Sequence, residues 1–130
     1  MAEKWIQWKP VDNLEKLYTA NSIKFINTEI IVTLTPVNQS NNAKIAFSAS
    51  AAAYRFTSSP YDLSAYAKKA ICYPNTNWSF FQVENSSYLK WLSKMSSTLS
   101  DDQKFSHYVI TAKNKTIEMI IHHEPDIDFL

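Results

Sequence analysis

Glycine is entirely missing from this 130-residue chain. Its absence excludes the GxGxxG loop that binds dinucleotides, the GxxxxGK[ST] loop that cradles phosphates and the GxSxG turn that carries a hydrolase nucleophile. It also leaves asparagine as the next-best residue for turns that need a positive φ angle. The commonest cofactor and nucleophile motifs are therefore excluded, and no cofactor is expected.

Cysteine is almost as scarce. Cys72 stands alone, so the chain has neither an internal disulfide nor the cysteine cluster of a structural zinc site. No segment approaches the roughly 18 apolar residues of a membrane span, and the charged N-terminal segment lacks the apolar core of a signal peptide. We therefore expect a cytoplasmic protein that does not associate with a membrane.

An excess of either charge is also missing, because 13 basic and 12 acidic side chains leave a net charge of +1. Nucleic-acid binders normally show a strong basic excess, so no nucleic-acid partner is expected. The 45% hydrophobic and 19% charged residues are typical of a globular protein, and the length fits a single domain over residues 1–130. Lysine outnumbers arginine twelve to one, a bias typical of AT-rich bacterial genes.

Alternating apolar residues predict an antiparallel sheet. Strands are expected over residues 22–26, 29–37, 43–49, 52–57 and 78–84. In the second of these, Ile30, Val32 and Leu34 recur at every second position. This alternation is typical of a strand with one buried face. Short helices are expected over 13–19 and 62–70.

The main helix is expected to begin at Asn85 or Ser86, since either side chain can accept N–H groups of a first helical turn. Apolar residues then recur at helical spacing on one face. That face consists of Tyr88, Leu92, Met95 and Leu99, widened by Trp91. The predicted fold class is α+β, with about five to seven antiparallel strands packed on this helix and on short helices.

The closing strands, 107–112 and 116–123, are expected to form a hairpin that turns at Asn114 and Lys115. This register sets Tyr108 opposite Ile121, Ile110 opposite Met119, and His107 opposite His122. The apolar face of the hairpin would pack beneath the main helix, leaving both imidazoles on the outer face.

Four polar side chains are candidates for a binding site: Arg55, His107, Glu118 and His122. Arg55, the only arginine, could grip a ligand carboxylate or phosphate, or could pair with Glu118 or Glu84. The two imidazoles could share a metal or act as general acid and base, but a catalytic zinc usually takes three protein ligands. None of the 15 serines stands in a recognisable catalytic arrangement. No metal ligand and no catalytic residue is therefore predicted.

Tryptophans and the C-terminal tail leave alternatives open. Trp78 and Trp91 are expected in the core, whereas Trp5 and Trp8 either cover the sheet or form an exposed patch for a partner. The acidic and apolar tail over 124–130 is a C-terminal strand extension, a frayed tail or a contact segment for a basic partner.

A resemblance covers the last two thirds of the chain. The run VENSSYLKWL over residues 83–92 has the form V-E-x-S-x-Y-L-x-W, and HYVIT at 107–111 and Glu124-Pro125 follow it. This succession, with Tyr54-Arg55 upstream, resembles a group of small uncharacterised bacterial proteins. Small cytosolic families of this kind often include immunity proteins, so the resemblance implies a protein that binds and blocks a toxin.

The sequence thus predicts a small cytoplasmic binding protein without enzymatic activity, whose partner is a protein and most concretely a cognate toxin. A hydrolase or nuclease that uses the His107/His122 pair is the alternative. A carrier with a small-ligand pocket between helix and sheet is a third hypothesis. Monomer and homodimer both remain open, because an exposed edge strand can pair across a two-fold axis.

Overall fold

The computed structural model describes residues 3–37, 44–57, 78–95 and 104–130. Their strands and one helix are β1 (Lys4–Gln7), β2 (Tyr18–Ile26), β3 (Glu29–Pro36), β4 (Ile45–Thr57), β5 (Phe80–Glu84), α1 (Ser87–Met95), β6 (Ser106–Thr111), β7 (Thr116–Ile121) and β8 (Asp126–Phe129). The strand pairs are antiparallel, as predicted. Helical content is small, and the predicted helix over 62–70 and Cys72 lie outside the described residues.

The long strand β4 connects two sheets. The strand order is β1-β5-β6-β7-β4-β3-β2, with β8 pairing β4 beside this path. The N-terminal half of β4 pairs with β3 and also with β8, a strand that the C-terminal tail forms after the closing hairpin. The C-terminal half, from Ala51 to Thr57, pairs with β7. The two strands predicted over 43–49 and 52–57 are therefore one strand, because partners accompany it along its whole length.

The two sheets bury their apolar faces against each other. Phe47 of β4 stacks on Phe80 of β5 with ring centroids 6.4 Å apart, and Trp8 lies edge-on to both rings. Ile110 and Met119 are completely buried in the same core, as the sequence predicts. Trp5, Trp8 and Trp78 are also core residues. Trp5 and Trp8 therefore cover the sheet.

Helix α1 does not lie on this apolar face, contrary to the prediction, because the facing sheet already covers it. It packs instead on the opposite face of β6, where the Tyr88 ring lies edge-on to that of His107 at 5.6 Å. Tyr88 is buried, but Trp91 and Met95 are 56% and 69% exposed, so the predicted burial of this helix face holds only at its beginning. Leu99 lies outside the described residues.

The start of α1 is fixed by Ser86. Its hydroxyl oxygen accepts a hydrogen bond from the Leu89 N–H at 3.0 Å, as an N-cap side chain does. Asn85 precedes it with φ of 55°, and Asn27, in the turn between β2 and β3, has φ of 57°. Asparagine thus takes both positive-φ positions of the described residues in a chain without glycine, as expected from the composition.

Residues 13–19 do not form the predicted helix. Strand β2 already begins at Tyr18, whose N–H donates to Ser79 Oγ at 3.0 Å and whose hydroxyl accepts from the Glu15 N–H at 2.9 Å. Of the apolar residues that suggest a helix face, Leu14 and Leu17 lie in irregular chain before β2, and Tyr18 is the first residue of that strand. The hydrogen bond to Ser79, 61 residues away, and the pairing of β2 with β3 favour the extended conformation over the local helical pattern.

The β6–β7 hairpin turns one residue earlier than predicted. Ala112 and Lys115 exchange backbone hydrogen bonds of 2.9 and 3.3 Å, so the turn residues are Lys113 and Asn114. Tyr108 then lies opposite Met119, and His107 lies opposite Ile120. Each residue of β6 is therefore paired with a residue of β7 two positions earlier than predicted. A shift of two preserves the division of side chains between the two faces.

Contacts outside the hairpin fix this register. The Asn114 side chain accepts from the Ala20 N–H and donates to the Ala20 carbonyl, both at 3.0 Å. The Lys113 N–H donates to the Tyr18 carbonyl at 2.9 Å. The turn is thereby docked on β2, which no feature of the hairpin sequence indicates.

Candidate functional site

Three of the four predicted site residues come together on the face of the sheet that α1 covers. Arg55 of β4 is the cross-strand partner of Glu118 of β7. Its Nε donates to Glu118 Oε2 at 2.8 Å and its Nη2 donates to Oε1 at 3.1 Å, a bidentate pair. His107 of the neighbouring strand β6 reaches the same carboxylate with Nε2, 2.9 Å from Oε1.

The other nitrogen of His107 contacts Ser86. The Ser86 Oγ lies 2.7 Å from His107 Nδ1. An ionised carboxylate can only accept hydrogen bonds, so the proton between His107 and Glu118 is on Nε2, and Nδ1 accepts from the Ser86 hydroxyl in the neutral imidazole. Ser86, His107 and Glu118 therefore form a hydrogen-bonded chain of hydroxyl, imidazole and carboxylate, called here the buried row.

Burial and charge set the protonation of Glu118. Ser86, His107 and Glu118 are all at least 95% buried, so the predicted exposure of His107 is wrong. Burial alone would raise the pKa of Glu118, but hydrogen bonds from His107 and Arg55, together with the electrostatic effect of both side chains, outweigh it and lower that pKa. The carboxylate is consequently held ionised at neutral pH.

Arg55 also begins an aromatic stack that reaches the surface. Its guanidinium carbon lies 4.1 Å from the centre of the Tyr88 ring, a cation–π contact. Tyr88 stacks in turn on Trp91, with ring centroids 6.4 Å apart and an interplanar angle of 24°. Burial raises the pKa of the Tyr88 hydroxyl, an effect that the nearby guanidinium opposes. We call Arg55, Tyr88 and Trp91 the arginine–aromatic surface.

A cavity of about 600 Å³ lies beside the buried row. Ser86 and His107 line it, and so do Lys90 and Lys94 on successive turns of α1. The described residues around it include no aspartate or glutamate, and the two lysines are positively charged. The remaining lining residues are Gln82, Val83, Asn85, Leu89, Ser93, Phe105 and Ser106.

His122, the fourth predicted site residue, lies elsewhere. It is exposed, packs edge-on against Phe105 at 5.4 Å, and places Nδ1 3.2 Å from Nε2 of His123. The predicted opposition of His107 and His122 is wrong, because the hairpin register pairs His107 with Ile120. Within the described ranges, no group of three or more histidine, cysteine, aspartate or glutamate residues is arranged to hold a metal ion.

The opposite face of β4 carries a second group of exposed aromatic residues. Tyr54 and Phe56 flank Arg55 in sequence and therefore point to the other side of the strand. Phe25 of β2 packs against both, with ring centroids 4.8 and 6.3 Å away. All three are between 40% and 48% exposed. This group is separated from the arginine–aromatic surface by the sheet itself.

The sequence did not indicate Ser86 as a partner of His107. The pattern around Ser86 predicts a helix cap, which is confirmed, but its contact with His107 depends on how α1 and β6 are placed. One signal is present in the sequence: the only arginine alternates with two aromatic residues, and Glu118 is one of its two expected partners. The Arg55–Glu118 pair connects the other residues of the candidate site, because Glu118 contacts His107 and Arg55 contacts Tyr88.

No family model, curated protein or solved structure matches this chain. Over the ranges that the structure describes, no helix is both long and apolar enough to cross a membrane.

Proposed function

We propose that this chain is a binding protein that recognises a protein partner through the arginine–aromatic surface. The observation that carries the proposal is the stack of Arg55 on Tyr88 and of Tyr88 on Trp91, with the Arg55 side chain 47% and Trp91 56% exposed. Arginine, tyrosine and tryptophan are the residues enriched at the energetic centres of protein interfaces.

The rigidity of Arg55 supports this assignment. An arginine that is ordered only on binding loses side-chain entropy, which weakens association. Here the bidentate contact with Glu118 and the Tyr88 ring already hold the guanidinium in place. The Arg55 side chain has therefore already lost part of its conformational entropy in the folded, unbound protein, and binding loses less.

Exposed apolar area next to the stack is a second support. Met95 is 69% exposed one helical turn beyond Trp91. Methionine adapts its shape to an apolar partner surface, and tryptophan supplies a large, rigid contact area. Together they offer an apolar anchor beside a fixed positive charge, which fits a protein surface with an apolar pocket rimmed by polar groups.

The most concrete form of the proposal is a toxin-neutralising immunity protein of a bacterium, acting in the cytoplasm. The resemblance of residues 83–92 and 107–111 to small bacterial proteins supports this form, and those segments contain Tyr88, Trp91 and His107. The products of the neighbouring genes are the natural candidates for the toxin.

Binding of each neighbouring gene product to the purified chain tests the proposal, with the dissociation constant measured by calorimetry. Trp91→Ala should weaken binding about 30-fold or more, the loss of about 2 kcal/mol expected at an interface hot spot. Phe25→Ala removes an aromatic ring of similar exposure, 48%, from the other face and serves as the matched control. Unchanged affinity of Trp91→Ala, or no binding by any neighbouring product, would overturn the proposal. For the immunity form, co-expression should also rescue growth from the toxic product.

A further inference from the structure

We propose that Ser86 is a nucleophile activated by His107, and that the adjacent cavity takes small carboxylic esters that carry an anionic group. The inference is independent of the protein partner. It rests on the order of three buried groups, the cavity beside them and the charge of that cavity.

The order of the groups is that of an acid–base relay. Ser86 Oγ lies 2.7 Å from His107 Nδ1, and Nε2 of the same ring lies 2.9 Å from Glu118. In the neutral imidazole the hydroxyl donates to Nδ1, and Nε2 donates to the carboxylate. A nucleophilic hydroxyl needs an adjacent base, and the base needs a third group that orients it. Unrelated folds use this constellation, which is recognised by geometry and roles.

Glu118 and Arg55 act as positioning residues. The carboxylate holds the His107 proton on Nε2, which leaves Nδ1 to accept the proton of Ser86. The bidentate contact with Arg55 prevents the carboxylate from rotating away. The ring is consequently fixed in the tautomer that the reaction needs.

A backbone donor of α1 fixes the position of the Ser86 oxygen. The Leu89 N–H, in the first turn of the helix, donates to Oγ at 3.0 Å. At the same helix end the Ser87 N–H donates to a carboxylate oxygen of Glu3 at 2.8 Å. Because the Leu89 N–H occupies one side of Oγ, the hydroxyl proton is directed to His107 Nδ1. The helix-capping contact therefore also orients the proposed nucleophile.

The cavity gives access to this oxygen and selects the substrate. Ser86 and His107 line it, so an ester that enters can approach both. Lys90 and Lys94 add two positive charges, and the described lining has no carboxylate to cancel them. An acyl group that ends in a carboxylate therefore fits better than a neutral one.

The reaction proceeds in two steps, acylation of Ser86 and hydrolysis of the acyl-serine. The Ser86 oxygen bonds to the ester carbonyl carbon as its proton passes to His107 Nδ1, and the alcohol then leaves with that proton. Water next attacks the acyl-serine, giving a proton to Nδ1, and the carboxylic acid departs as Ser86 regains its proton from the imidazolium.

A fluorophosphonate probe tests the nucleophile on the full-length protein. Intact-mass and peptide analysis should show one phosphonyl group per chain, on Ser86. Ser86→Asn retains a capping side chain and removes the nucleophile, so it should fold and remain unlabelled. Ser50→Ala is the control, because Ser50 is an exposed serine on β4 that does not line the cavity, and it should be labelled as the wild type is. A folded wild-type protein without a label on Ser86 would overturn the proposal.

Ester hydrolysis tests the roles and the substrate class. The mono-p-nitrophenyl ester of succinate should be turned over faster than p-nitrophenyl butyrate, and Lys90→Gln with Lys94→Gln should abolish that preference. Glu118→Gln should lower kcat by about 10²-fold or more with little change in KM, because orientation of the base is lost. A Ser86→Asn variant that hydrolyses either ester at the wild-type rate would exclude Ser86 as the nucleophile, and equal rates on the two esters would exclude the anionic substrate class.

Discussion

Arg55 and Glu118 lie directly opposite each other in the β4–β7 ladder, and the guanidinium holds both oxygens of the carboxylate. The pair joins the buried row to the arginine–aromatic surface, since Glu118 also contacts His107 and Arg55 also contacts Tyr88. A change in Glu118 therefore affects both the stability of the sheet and the position of the exposed arginine.

Glu118→Gln should destabilise the protein by about 2–4 kcal/mol at pH 7, because it leaves a buried hydrogen-bond network without its charge. Chemical denaturation of the variant and of the wild type measures this difference. The conservative control is Glu84→Gln, an exposed carboxylate on β5, which should change the free energy of unfolding by less than about 0.5 kcal/mol.

The same pair predicts a dependence of stability on pH. The pKa of Glu118 is lowered from 4.5 in the folded state, so its contribution is fully present well above pH 4.5 and is lost as the pH falls through the lower, folded value. The difference in unfolding free energy between wild type and Glu118→Gln should stay constant from pH 7 to about pH 5.5 and narrow at lower pH. A difference that widens on acidification would contradict the lowered pKa.

Asn114→Ala should destabilise the protein by about 1 kcal/mol, since both of its hydrogen bonds to Ala20 are lost. The midpoint of urea denaturation measures the effect. Lys113→Ala alters the neighbouring turn residue but retains its backbone N–H bond to Tyr18, and should have little effect. Equal midpoints for the two variants would show that docking of the turn on β2 contributes no stability.

Asn27 should tolerate glycine better than alanine. Its φ of 57° lies in the left-handed region, where a Cβ atom is unfavourable and asparagine is the least affected of the residues that carry one. Asn27→Ala is expected to lower the free energy of unfolding by about 1 kcal/mol, and Asn27→Gly to leave it unchanged or raise it slightly. Thermal denaturation of both variants provides the comparison, and the reverse ranking would argue against this backbone conformation.

Phe80→Ala should be among the most damaging core substitutions, costing about 3–5 kcal/mol. The ring contacts Trp8, Tyr18, Phe47 and Trp78, so its removal leaves a cavity where the two sheets meet. Phe129→Ala is a suitable control, because that ring is 44% exposed on β8. Calorimetry should show a much larger fall in Tm for the first variant than for the second.

Local patterns predicted the strands well where one face is buried. Ile30, Val32 and Leu34 alternate in the sequence and are all buried on β3. Tyr108 and Met119 were likewise placed on the inner face of the hairpin, although in the wrong register. A shift of two residues leaves the faces unchanged, so alternation alone cannot distinguish the two registers.

What the sequence could not predict depends on distant contacts. The position of the β6–β7 turn depends on the hydrogen bonds between Asn114 and Ala20, which are 94 residues apart. Helix α1 was expected on the inner face, but that face is occupied by the second sheet, so Trp91 stays exposed. Ser86 meets His107 only because α1 lies across β6, and no spacing rule links the two positions.

The continuity of strand β4 has a further consequence for the cooperativity of unfolding. Because one continuous strand runs through both sheets, and the two sheets bury one common core, unfolding of either sheet exposes the apolar face of the other. Thermal unfolding should accordingly be all-or-none across both sheets, with the calorimetric enthalpy equal to the van't Hoff enthalpy.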